Sequence, residues 1–234
     1  MANEKQIIII GGGYSIKPEI EKGLWNKLKG KYTIGLNYSY HYFDSSVQMY
    51  VDHKFYTDES ERLKSLPLII GKLHSNLKNK IHPNTIMLNS CHAYDRTIKR
   101  GVYKASLVGI FALTLSIYFI KKGEIYLLGY DFGGYKAEKD EKGRKITHFY
   151  QKEINHRGIG KIDYYGSHNR GHTDFGCFRE LEDIKIYNVG LESYLGEFPK
   201  ISYQEFYNKL NPELLNQDTI RQDIINQLKK DRYI

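Results

Sequence analysis

Cysteine and proline are both scarce, with two and five copies in 234 residues. Cys91 and Cys177 stand far apart and in no metal-ligand spacing, which excludes a disulfide framework and a cysteine zinc site and leaves reduced thiols as the expectation. No Gly/Pro/Ser tract, low-complexity linker or internal repeat occurs, so collagenous and disordered classes are excluded. The longest uncharged stretch, Ala105 to Ile120, is bounded by Lys104 and Lys121. It falls short of the roughly 18 apolar residues that mark a membrane span. No Asp-x-Asp pair is present, so a carboxylate clamp for a divalent metal on a diphosphate is not expected, and no metal site is assigned. The opening MANEKQIIII lacks the basic, apolar and small-residue regions of a secretory signal; its isoleucines predict a strand and the expected location is cytoplasmic.

What is present is an ordinary globular balance, 41% hydrophobic and 26% charged, enough chain for one domain. Lys+Arg 35 against Asp+Glu 27 gives +8, a charge that suits a nucleic acid, an anionic membrane surface or a phosphorylated substrate and does not choose among them. The basicity is mostly lysine, 26 of the 35, beside 21 tyrosines and many Ile and Asn, a pattern that AT-rich codon bias also produces.

Periodicity alternates strands and helices. Gln6 to Ile10 is a continuous apolar run ending in three glycines, the pattern of a buried parallel strand meeting a tight turn. Pro18 and Glu19 open a helix carrying Ile20, Leu24 and Leu28. Strands are predicted at Thr33 to Leu36, Val47 to Val51, Thr85 to Leu88, Glu124 to Gly129 and Lys185 to Asn188. A short helix is expected over Thr57 to Leu66 with Thr57 as N-cap, and a buried one over Ala105 to Ile120. Regular periodicity fails over 131–176, the pattern of a functional loop or lid. Ser202 to Glu205 matches a capping box, and Leu214, Leu215, Ile220, Ile224, Ile225 and Leu228 share one face of a terminal helix, suited to packing or to a homo-oligomer contact. The domain is read as 1–206, with a helical tail over 207–234.

Gly11-Gly12-Gly13-Tyr14-Ser15, between a strand and a helix, suits a phosphate cradle made of backbone N–H groups; a plain tight turn is the alternative. It has neither P-loop spacing nor the third glycine and acid of a dinucleotide site, so NAD is not expected. Asn37, ending the second strand, can hydrogen-bond a base or ribose or form a turn. Asp52, ending the third, is either a general base or ligand orienter, or a helix cap. Asp131 in Gly129-Tyr130-Asp131 places a carboxylate at the carboxyl edge of the sheet. His148, His156, His168 and His172 cluster in the irregular segment, where histidine can move a proton near neutrality. His168, His172 and Asp174 have metal-triad spacing only if helical, and Gly166 and Gly171 argue for a loop. Tyr164, Tyr165 and Arg170 nearby can hold phosphate or stack on a base.

Taken together, the Gly-rich turn with Ser15, the apolar helix leading into Glu124-Ile-Tyr-Leu-Leu-Gly-Tyr-Asp-Phe132, the His-bearing loop and Ile186-Tyr-Asn-Val-Gly-x-x-Ser193 resemble one superfamily. It contains bacterial lipooligosaccharide sialyltransferases, motility accessory factor glycosyltransferases and archaeal 6-hydroxymethylpterin diphosphokinase, with small phage proteins of similar type; the Lys145 to His156 segment resembles the phage members. The turn differs from the usual Gly-x-Gly-Pro-Ser at Tyr14. The resemblance implies an α/β, Rossmann-like, mostly parallel sheet flanked by helices, a GT-A-like variant. It implies that Gly11, Gly12, Gly13, Ser15 and Asn37 hold the nucleotide, that His168, with His172 second, is the general base, and that Tyr164 and Tyr165 assist the departing phosphate. The expected function is a metal-independent glycosyltransferase using a nucleotide-activated, CMP-sialic acid-like donor, with Asp131 orienting nucleotide and sugar and no cofactor beyond the donor. The alternatives are a diphosphokinase moving a group from ATP to a pterin-like acceptor, which would need Mg²⁺, and a non-enzymatic nucleotide- or nucleic-acid-binding phage protein.

Overall fold

The computed structural model describes residues 5–75, 81–135, 139–141, 143, 146–151 and 174–234. Ile7 to Ile10 show why the chain forms a two-sided layer: all four are at most 1% exposed, so strand β1 (Lys5–Ile10) must be covered on both faces. Its neighbours are β2 (Thr33–Leu36) on one side and β8 (Gly123–Leu128) on the other, both parallel to it, with Ile7 opposite Ile125 and Ile8 opposite Thr33. Beyond β2 come β3 (Val47–Tyr50), β4 (Ile69–Lys72) and β5 (Thr85–Leu88); beyond β8 come β9 (Ile184–Val189) and β10 (Lys200–Ile201). The order of this parallel sheet is β10-β9-β8-β1-β2-β3-β4-β5, a Rossmann-like α/β layer. A separate parallel pair joins β6 (Ser90–Cys91) to β7 (Val102–Tyr103).

Odd and even residues of β1 feed different cores. Ile7 and Ile9 meet helix α5 (Val108–Ile120) and the terminal helix α7 (Gln217–Lys230), which contributes Ile220, Ile224 and Leu228. Ile8 and Ile10 meet Ile16 from the turn that precedes α1 (Lys17–Glu21), Leu24 from α2 (Leu24–Leu28), Phe55 from α3 (His53–Asp58), Leu63 from α4 (Ser60–Leu63) and Phe206 from α6 (Tyr203–Lys209), with the partly buried Ile20 of α1 packed against them. Because α5 lies between the sheet and the elements above it, every residue from Ile110 to Ile120 is buried. Its two internal hydroxyls return to their own helix, Thr114 Oγ1 donating to Ile110 O at 2.9 Å and Ser116 Oγ to Ala112 O at 2.8 Å.

Several sequence expectations are corrected. The first helix breaks at Gly23, which takes φ +82, so Ile20 and Leu24 belong to two short helices. Thr57 is not an N-cap: Asp52 caps the helix that begins at His53, and Thr57 Oγ1 donates back to His53 O. Leu214 and Leu215 lie before the terminal helix, which Asn216 caps through Thr219 N, and Leu214 is 74% exposed. The rest of that apolar stripe is spent on the chain's own sheet, joining α7 to the core formed by β1 and α5. The capping box of α6 is present in full, Ser202 Oγ accepting from Glu205 N and Glu205 Oε2 accepting from Ser202 N. No helix among the described residues is long and apolar enough to cross a membrane.

Truncating Phe111, fully buried between sheet and helices, is expected to cost about 3–5 kcal/mol in a urea unfolding curve. Ser202→Ala, which removes one cap, is expected to cost only about 1 kcal/mol.

Candidate functional site

The chain runs outward from β1 to β5, returns through α5, and runs outward the other way from β8 to β10. The β1/β8 boundary is therefore the topological switch point, where crossovers leave toward opposite faces and a crevice opens beyond the carboxyl ends of the strands. A cleft of about 240 Å³ occupies that position. Gly11 to Gly13, Asn37 and Asp131 line it, and so do the start of α5, His148, Tyr150 and Phe175.

The glycine turn is stitched to the end of β8. Gly11 N donates to Leu128 O at 2.8 Å and Gly13 N to Gly129 O at 2.9 Å. A Cβ on Gly13 would lie 2.5 Å from Gly129 O and 2.6 Å from the Asp131 carboxylate, a separation only glycine permits. The segment around His148 then lies antiparallel across the turn, with Phe149 N donating to Gly12 O at 3.0 Å and His148 bridged to Gly13.

Asp131 is 7% exposed and turned inward. Its Oδ2 accepts from Ser15 N at 2.9 Å and its Oδ1 from Ser15 Oγ at 2.5 Å. The carboxylate thus takes the anion position that a helix-opening turn offers, and Ser15 serves Asp131 instead of a ligand phosphate. Burial raises the Asp131 pKa above the ordinary carboxylate value, opposed by the bonds from Ser15. With both oxygens engaged, it positions the two strand ends.

Asn37 follows directly on β2, in the left-handed region at φ +49, which asparagine tolerates better than most residues. Gln48 Nε2 holds its backbone oxygen at 2.7 Å, and its own Oδ1 is buried with no hydrogen-bond partner among the described residues. Helix α5 begins at Val108, after Leu107 as its N-cap, with no side chain of the described residues capping its first N–H groups, and Leu107, Val108 and Gly109 line the cleft. Tyr130 Oη donates to Gly109 O at 3.2 Å and ties this helix start to the end of β8. Among the described lining residues there is no Lys or Arg, so the net charge of +8 does not come from this wall.

His148 is pushed down to about pKa 4 by burial and is neutral at physiological pH. Its Nδ1 lies 2.8 Å from Thr147 Oγ1, and its ring lies 5.3 Å from that of Tyr150. Asp52, in contrast, is outside the cleft: it is exposed, and its Oδ1 accepts from Lys54 N at 2.8 Å as a helix cap, which corrects the expectation of a base there. His156, Tyr164, Tyr165, His168, Arg170 and His172 lie outside the described residues, as does part of the expected lid over 131–176. Asp174, at the far end of that segment, is buried and paired with Lys104. Among the described residues no cluster of three metal-ligating side chains occurs.

Sequence reasoning missed the α5 start, Thr147, Tyr150 and Phe175. Starting the helix at Ala105 instead of Val108 hid its N-terminus, and nothing in the pattern around Thr147 shows that it folds back over the turn. No family model, curated protein or solved structure matches the chain.

A protonated His148 is disfavoured in the folded state, while the unfolded chain binds that proton below about pH 6.5. Stability is therefore present above pH 6.5 and lost as pH falls toward 4, and His148→Gln is expected to flatten this slope in melting temperature against pH. Asp131 contributes with the opposite sign, losing stability as pH rises through its elevated pKa, so the difference between wild type and His148→Gln isolates the histidine. Gly13→Ala, which drives a methyl into Gly129 O, is expected to lower the melting temperature and disrupt the cleft.

Proposed function

We propose that the chain is a transferase that takes a nucleotide-activated donor and moves its sugar to an acceptor hydroxyl. The observation that carries this reading is the cleft at the β1/β8 switch point, where open parallel sheets bind nucleotides. Asn37 Oδ1, buried without a partner among the described residues, suits a ribose hydroxyl or a base amino group as donor. The uncapped start of α5 favours the donor phosphate through its partial positive charge, in a wall that has no described Lys or Arg. The neutral His148 ring, backed by the buried Tyr150 at 5.3 Å, offers a face on which a base can stack.

In this scheme the acceptor oxygen bonds to the anomeric carbon as the bond from that carbon to the phosphate oxygen breaks. The acceptor proton passes to His168, with His172 as the second choice, and the nucleotide leaves with its phosphate held by Tyr164, Tyr165 and Arg170. The roles of His168, His172, Tyr164 and Tyr165 rest on the sequence resemblance, and that of Arg170 on its charge beside them in the sequence. Asp131 is a positioning residue, holding Ser15 and the turn. Ordering of donor and acceptor supplies most of the acceleration, with about 10²–10⁴-fold from the base.

A thermal-shift panel of CMP, UDP, GDP, ADP, ATP and CMP-sialic acid, each with and without Mg²⁺, tests the reading, since ligands that bind only the folded chain raise its melting temperature. The expected result is stabilisation by one nucleotide family that survives EDTA. Asn37→Gly, which keeps the left-handed backbone and removes the amide, should weaken it about tenfold, the worth of one good hydrogen bond. His168→Ala should retain the shift and lose about 10²–10⁴-fold in turnover. Stabilisation by ATP with Mg²⁺ alone would replace this reading with the diphosphokinase, and no shift by any nucleotide would overturn it.

A further inference from the structure

A second cavity, about 280 Å³, lies at the opposite edge of the sheet, beneath the amino ends of β1 and β2 and under α7. Its apolar lining comes from Ile8, Tyr32, Phe119, Ile220 and Ile224. The exposed Glu213, Asn216, Thr219 and Asp223 on its rim open the space to solvent. Here the covering segment is held in place by hydrogen bonds. Lys31 Nζ donates to Asn211 O at 2.5 Å and to Glu213 O at 2.8 Å, and Leu215 N donates to Gly30 O at 2.7 Å. Farther along, Arg221 Nε donates to Ser46 O at 3.1 Å and Gln227 Nε2 to Tyr118 O at 3.2 Å, which fixes α7 at two points above the space.

One polar group in this wall is unsatisfied. The Tyr32 hydroxyl is buried and has no hydrogen-bond partner among the described residues, whereas native structures pair nearly all such groups. A molecule entering the cavity with a hydrogen-bond acceptor would complete it, and the surrounding aliphatic and aromatic carbons would take a flat apolar body. Lys5, Lys31, Glu213 and Asp223 also line the cavity, two charges of each sign that give no net preference for a charged ligand and leave a neutral one favoured by the apolar wall.

We propose that the cavity under α7 is a binding site for a small neutral aromatic molecule carrying a hydrogen-bond acceptor, with the Tyr32 hydroxyl as its donor. Such a ligand bridges the terminal helix and the sheet, so it stabilises the attachment of α7 without touching the cleft at the carboxyl edge. Nothing in this proposal depends on the nucleotide reading.

Benzamide and benzene serve as probes, followed by methyl NMR at Ile220 and Ile224 and by melting temperature. Saturable benzamide binding in the millimolar range is expected. Tyr32→Phe, which keeps the ring and removes the orphan hydroxyl, should fold with an unchanged or higher melting temperature, weaken benzamide about tenfold and leave benzene unchanged. Thr219→Trp, on the exposed first turn of α7, narrows the space and should weaken both probes. Failure of both probes to perturb Ile220 and Ile224, or equal benzamide affinity in wild type and Tyr32→Phe, would overturn the proposal.

Discussion

Two oxygens of one buried carboxylate and two donors of one serine hold the carboxyl edge of this molecule together. Asp131 leaves the end of β8 and Ser15 follows the end of β1, and their paired bonds fasten the two strands where the sheet order reverses. Charge-assisted bonds of this kind are strong, but a carboxylate buried to this depth is tolerable only while its donors remain. The glycines between Ile10 and Tyr14 follow from the same constraint, since the turn must approach Gly129 and Asp131 more closely than a Cβ allows.

That arrangement changes what the glycine turn can offer a ligand. In a simple phosphate cradle the N–H groups after the strand face outward. Here those of Gly11, Gly13 and Ser15 are already engaged by Leu128, Gly129 and Asp131. Donor capacity in the cleft moves to the start of α5, opposite Asn37, and the wall is completed by the strand-like crossing of His148 over the turn. If the proposed nucleotide binds here, a neutral histidine and an asparagine oxygen with no partner among the described residues suit its uncharged part better than its phosphates.

The centre of the sheet was legible because its inner strands are buried on both faces. Thr33–Leu36 and Thr85–Leu88 match their expected bounds, and the Gly123–Leu128 and Ile184–Val189 strands lie within one residue of theirs at each end: the strands at 33–36 and 123–128 are buried along nearly their whole length, while those at 85–88 and 184–189 are short runs rich in Ile, Leu, Met, Tyr and Val bounded by Gly, Asn or charge. Short edges were not legible: β10 has two residues, too few for any period to register. β4 was missed as well, although Ile69 and Ile70 are fully buried, because Leu66-Pro67-Leu68 ahead of it reads as the end of a helix. The site was half legible. Gly11 to Gly13, Asn37 and Asp131 meet in one cleft, whereas Asp52, equally well placed at a strand end, turned outward to cap a helix.

By itself the sequence determined the layer class, the buried helix and the set of residues at strand ends, because hydrophobic period and local capping act over a few residues. Only the tertiary structure decided which strand ends face each other, that Ser15 answers Asp131 across 116 positions, and that α7 lies on the sheet beside α5. Those contacts join residues far apart in the chain, and no local pattern carries the loop closure and mutual burial that select them.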